Sequence, residues 1–185
     1  MTLTASPLLV PNPPGGPSAS ALHQTLRDTG VSHVVTVPDF VQFSLHAALA
    51  KEPQGIRSVF AASEDQAVTT AAGLWMAGAK PAVLVQNQGL YKCTNTLRAV
   101  CLDAGVPLLF LVGQFGREAS NLGQPMTLSK RSMVRVMQPY LDALGIAHWT
   151  LEGDEGLSAI AQASEHAQQH ESAAVVLVAR HTTWQ

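Results

Sequence analysis

Three runs of this chain are apolar at nearly every position: residues 82–85 (AVLV), 106–112 (VPLLFLV) and 174–179 (AVVLVA). A strand with one face in water alternates apolar and polar residues, and these runs do not. They are also too short for buried helices, so they read as strands covered on both faces, as in a parallel sheet. Parallel strands need helical crossovers between them, which forces helices onto both faces of the sheet.

The segments between and around these runs supply the helices. Ser18 or Ser20 can cap a helix reaching about Thr29, with Ala21, Leu22, Thr25 and Leu26 inward and Gly30 closing it. Residues 33–37 form a first strand, which turns at Val37-Pro38-Asp39, and a helix spans 40–51. A short strand at 57–60 precedes a helix that Ser63 can cap, with Glu64 and Asp65 in the first turn, where carboxylates favour the helix dipole. Ala67, Val68, Ala71, Ala72, Leu74 and Trp75 give this helix its apolar stripe, Gly78 ends it and Pro81 bars a restart. After strand 82–85 comes a polar loop, Gln86-Asn87-Gln88, then a helix over 93–103. Beyond strand 106–112 lie a glycine-containing loop (113–125), an amphipathic helix (131–144), a strand (146–151), a helix (155–169) and the closing strand. The expected fold is therefore three-layer α/β/α, with a parallel sheet of about six strands.

Residues 1–17 hold five prolines and two glycines. They are expected to form a flexible tail, leaving 18–185 as one domain. With 185 residues and a formal charge of −2, the chain has neither the basic runs of a nucleic-acid binder nor a long apolar run that would span a membrane. Cys93 and Cys101, if on one helix, lie about 12 Å apart along its axis, too far for a disulfide. They read as small buried residues in a reducing compartment. No charged region precedes an apolar core at the start of the chain, so cytoplasmic residence is expected.

Ligands of open α/β sheets bind beyond the C-terminal ends of the strands, which draws attention to Glu64 and to the loop after residue 85. Spacing alone leaves Glu64 either a first-turn carboxylate or a buried ligand to a cofactor. His166 and His170, four apart, have the spacing of a metal pair but no evident third ligand, so no metal site is expected.

The run Glu64, Ala71-Ala72-Gly73, Ala77-Gly78-Ala79-Lys80-Pro81, Gln86-Asn87-Gln88-Gly89-Leu90 and Asn95 resembles the pyrimidine-binding domain of thiamine diphosphate enzymes, specifically the sulfopyruvate and phosphonopyruvate decarboxylases. Val37-Pro38-Asp39 resembles that family's early V-P-D turn, and 138–146 (QPYLDALGI) its later helix, so the resemblance covers roughly residues 20–150. The chain departs from the family where G-L-G-N is replaced by Gly89-Leu90-Tyr91-Lys92, and where an Arg-Gly pair appears reversed as Gly116-Arg117. The segment 152–156 (EGDEG) superficially resembles the family's G-D-G diphosphate motif but lacks the downstream asparagine segment.

The resemblance implies that Glu64 is the catalytic residue, hydrogen-bonding a ring nitrogen of the cofactor's aminopyrimidine. It implies cofactor contacts from Pro38, Asp39, Gln86, Asn87, Gln88, Gly89 and Asn95. At the points of departure the expected substrate contacts are Tyr91, which would narrow or reshape the pocket, and Lys92 and Arg117, which would pair with an anionic substrate. It further implies an α-subunit of a two-subunit 2-oxo acid decarboxylase. A separate β-subunit would hold Mg²⁺ and the diphosphate, and the α-subunits would self-associate. A carboligase or lyase subunit on the same scaffold, or a non-catalytic structural subunit, are the alternatives.

Overall fold

The structure is a computed structural model, and it describes residues 15–51 and 55–184. The expected tail lies largely outside the described residues. Its last residues, from Gly15, are described, and Pro17 accepts a hydrogen bond from the amide of Thr183.

Six parallel strands make one sheet: β1 (His33–Thr36), β2 (Arg57–Phe60), β3 (Pro81–Gln86), β4 (Leu108–Gly113), β5 (Ala147–Leu151) and β6 (Ala173–Val178), in the order β2-β1-β3-β4-β6-β5. The three runs without alternation are β3, β4 and β6, three of the four inner strands, and β4 and β6 are buried at every position. Their side chains alternate between two cores, one on each face of the sheet. Val83, Val85, Phe110, Val112, Val175 and Leu177 face one side. Ala82, Leu84, Leu109, Leu111, Ala174 and Val176 face the other. Helices α1 (Ala19–Asp28), α2 (Phe43–Lys51) and α8 (Ser158–His170) cover the second core with Leu22, Leu26, Leu45, Leu49 and Ile160. The first core is closed by α3 (Glu64–Met76) and by the helical segments between β3 and β4 and between β4 and β5.

Two stretches depart from the sequence expectation. The polar loop after β3 is a helix, α4 (Asn87–Lys92), followed directly by α5 (Thr94–Leu97) and a π-helical stretch, Arg98–Asp103. The chain breaks between α4 and α5 at Cys93, where the Thr94 hydroxyl donates back to the Tyr91 carbonyl at 2.5 Å. The expected helix 131–144 is two pieces, α6 (Ser132–Arg135) and α7 (Met137–Ala143). Pro139 explains this break: it has no N–H, and its ring opposes the carbonyl four residues back, that of Arg135. Val134, Met137 and Leu141 are nonetheless buried, as their spacing predicts.

Both cysteines are buried and free in the first core. Burial pushes each thiol up to about 12, with nearby Asp65 and Glu64 adding to the effect at Cys93. Among the described residues no helix is long and apolar enough to cross a membrane.

Candidate functional site

Because every strand is parallel, β1, β2, β3 and β4 end at one edge of the sheet, and the expected site residues gather there. Helix α3 starts just beyond β2. Ser63 caps it in extended conformation and accepts from the Gln66 amide. The Gln66 side chain reaches back to the Ala62 amide at 3.2 Å, a variant of the capping box. Asp65 accepts from the Thr96 hydroxyl at 2.7 Å, which ties the start of α3 to α5. The Glu64 side chain is thereby aimed across the start of α4.

Glu64 lies directly against Gly89. A Cβ on residue 89 would stand 2.3 Å from Glu64 Cγ and 2.5 Å from its Oε1, so only glycine fits beneath this carboxylate. The Glu64 side chain is 16% exposed, and Oε2 accepts from Lys92 Nζ at 3.2 Å. No described residue donates to Oε1. In this structure Lys92 is the ion-pair partner of Glu64, while its side chain remains 56% exposed.

Tyr91 does not enter the site. Its hydroxyl donates to the Met133 carbonyl at 3.0 Å, and its ring packs edge-to-face on Tyr140 at 5.1 Å. Burial, then the neighbouring Tyr140, pushes its hydroxyl up to about 12. In this structure the Tyr91 phenol is thus taken up by α6 and by Tyr140.

Asn87 is fully buried and donates to the Phe115 and Met133 carbonyls at 3.0 and 3.4 Å, pinning the loop after β4 to α6. Gln86 and Gln88 bond one another at 2.7 Å. Asn95 is exposed on α5 and accepts from Arg98. Pro38 is exposed beyond β1, and Asp39 is buried.

Asp39 organises a polar cluster that the sequence reading missed. Its carboxylate accepts from the Gln42 amide at 2.9 Å and the Gln42 side chain at 2.7 Å. The Asp39 amide donates to His46 Nε2 at 3.3 Å, which makes that nitrogen an acceptor. Gln42 is fully buried, also reaches the Val85 and Leu111 carbonyls, and its Oε1 has no partner among the described residues. Gly113 leaves room for Asp39, whose Oδ1 would be 2.7 Å from a Cβ there. The signal for Gln42 was its position three after an aspartate at a strand end, the spacing of a side-chain cap on a turn.

Arg117 is not brought together with Glu64. Its guanidinium donates to Asn121 and to the Gln124 carbonyl and pairs with Glu152 at 2.7 Å. The segment that superficially resembles a diphosphate motif has structural partners: Glu152 also bonds Arg180, and Asp154 accepts from the Ser18 amide at 2.7 Å. His166 and His170 stack ring on ring, centroids 3.9 Å apart. Among the described residues no cluster of three or more His, Cys, Asp or Glu is placed to hold a metal.

The residues present fit an aromatic base with a ring nitrogen. One carboxylate oxygen takes no donor from the described residues, and it sits at the C-terminal edge of a parallel sheet, where such folds bind their ligands. Fold and site together define the class: a three-layer α/β/α cofactor-binding domain with an acidic residue at a strand-to-helix junction. The chain belongs to the thiamine pyrophosphate enzymes, its residues 18–146 matching the model of their N-terminal TPP binding domain. It is 27% identical over 96 residues to the sulfopyruvate decarboxylase subunit alpha of Methanocaldococcus jannaschii, a match covering 52% of this chain and 56% of that protein. It is 26% identical over 123 residues to the subunit of the same name from Methanothermobacter thermautotrophicus, covering 65% of this chain and 74% of that one. The fold is similar to a solved structure of 2-oxoglutarate:ferredoxin oxidoreductase from Magnetococcus marinus, with TM-score 0.63 at 15% identity over 88% of this chain and 29% of that one. The chain thus spans about half of the first relative and less than a third of the oxidoreductase.

Proposed function

We propose that this chain is the pyrimidine-binding α-subunit of a two-subunit, thiamine diphosphate-dependent 2-oxo acid decarboxylase, acting on a sulfopyruvate- or phosphonopyruvate-like acid. The observation that carries this reading is the Glu64 carboxylate laid over Gly89 with Oε1 unclaimed. The names of the two archaeal relatives support it.

When bound, thiamine diphosphate supplies the electron sink for breaking the bond between a keto carbon and its carboxylate. Glu64 holds a proton at the pyrimidine ring nitrogen through Oε1. The fixed start of α3, capped by Ser63 and tied by Asp65, keeps that oxygen in place. Lys92 pairs with Oε2 and, being largely exposed, is free to turn to the acidic group of an incoming substrate. Asp39, Gln42 and His46 stiffen the neighbouring strand end, and the buried Gln42 Oε1 offers a further acceptor there.

The same sheet edge presents Phe40, Phe60 and Phe115 to solvent. Exposed aromatic residues around a polar site suit a covering partner chain. In this reading the partner is a β-subunit that carries Mg²⁺ and the diphosphate site.

The test is proton exchange at C2 of thiamine diphosphate in the complex reconstituted with its partner, wild type against Glu64→Gln. Glutamine keeps the size and loses the shared proton. The fold persists, and exchange slows by about 10²–10⁴-fold. Equal rates in two equally folded complexes overturn the catalytic role of Glu64.

A further inference from the structure

Beyond the adjacent ends of β4 and β6 lies a cavity of about 170 Å³, none of whose lining residues belongs to the Glu64 cluster. Gln114, Arg117, Ala119, Leu122, Ala179 and Arg180 line it. Three of these side chains each carry a buried polar atom with no partner among the described residues: Gln114 Oε1, Arg117 Nη1 and Arg180 Nε. Buried polar groups are satisfied in the great majority of cases, and three exceptions around one cavity call for a common cause.

The rest of each group is already engaged, which fixes what remains. Gln114 Nε2 donates to the Val112 carbonyl at 3.2 Å, leaving the oxygen as an acceptor. The Arg117 side chain is 2% exposed, and its Nε and Nη2 are taken up by Asn121, Gln124 and Glu152. Arg180 Nη2 bonds Glu152 at 3.4 Å. The unpaired N–H groups therefore belong to two guanidinium groups, a match for the oxygens of one carboxylate. Two guanidinium charges against the single Glu152 carboxylate leave one positive charge, so the complement is a monoanion. The free Gln114 oxygen asks for a hydroxyl donor, and Ala119, Leu122 and Ala179 leave space for a short aliphatic body.

We propose that this cavity binds a small hydroxy-monocarboxylate, of the size of lactate, at a site that shares no lining residue with the Glu64 cluster. Glu152 acts as the shared hinge that holds both arginines facing it.

The experiment titrates the full chain with lactate, propionate and inorganic phosphate, following backbone amide NMR signals. The expected result is saturable lactate binding in roughly the millimolar range, with shifts confined to residues 114–122 and 179–181. Propionate, lacking the hydroxyl, binds about tenfold more weakly, and Arg180→Gln weakens lactate by about tenfold or more. Ala119→Leu, at an exposed wall position, fills the cavity and does the same while leaving the arginines intact. The proposal is overturned by the absence of saturation up to about 100 mM, by lactate shifts that map elsewhere, by phosphate binding in preference to lactate, or by unchanged affinity in both folded variants.

Discussion

A single hydrogen atom at residue 89 decides what Glu64 can do. In most helices glycine is a weakness of about 1 kcal/mol relative to alanine, and replacing it stabilises. At Gly89 the added methyl would collide with the Glu64 side chain. Because that side chain is flexible and at the edge of the core, it yields and the backbone stays. Gly89→Ala therefore keeps the fold, with a melting temperature within a few degrees of wild type, while decarboxylation by the reconstituted complex falls by about tenfold or more, as expected when a proton-transfer partner is misplaced. Parallel thermal melts and activity assays check this, and an active Gly89→Ala complex would show that the close approach is incidental.

At the scale of an element, a half-buried carboxylate helps to hold the loop after β4. The Ser129 hydroxyl at 2.7 Å and the Lys130 amide at 2.6 Å both donate to Glu118 and hold its carboxyl down to about 2, from an ordinary 4.5. A carboxyl depressed on folding contributes stability above its unfolded value, and that contribution is lost as pH falls through the folded one. The loop accordingly stays tied down to about pH 4.5 and loosens between there and about pH 2. The Lys130 amide NMR signal should titrate with a midpoint near 2, and Glu118→Gln should abolish that titration. A midpoint near 4.5 would mean the carboxylate is not bonded as described.

At the scale of the whole molecule, several large aromatic side chains among the described residues face solvent. Phe40, Phe43, Phe60, Phe115 and Trp184 are all exposed, and Trp184 stacks edge-on against Phe43 at 5.5 Å. Surface of this kind is normally covered by another chain. The isolated chain is expected to form dimers or larger species at roughly tens of micromolar, and light scattering that finds a monomer there counts against it. In the proposed arrangement the diphosphate grip belongs to the partner. Calorimetry on the isolated chain should then show weak thiamine diphosphate binding that magnesium does not strengthen, and tight magnesium-dependent binding would refute the two-subunit reading.

The order of strands and helices, the unbroken burial of β4 and β6, and the capped start of α3 at Glu64 all follow from signals spanning a few residues: periodicity, prolines, glycines and a cap. The break ahead of Pro139 was written in the same local code, although the amphipathic spacing across it reads as one helix. What local code does not contain is which side chains meet across the sheet edge. Glu64 over Gly89, Tyr91 turned onto Met133, Asp39 against Gly113, and Arg117 drawn to Glu152 each join residues that are remote in the chain. Their partners are set by how helices pack on a twisted sheet, where one oxygen's place depends on every layer around it. That is why the position of the catalytic candidate was legible in the sequence, while the partners of Tyr91, Lys92 and Arg117 were decided only by the tertiary structure.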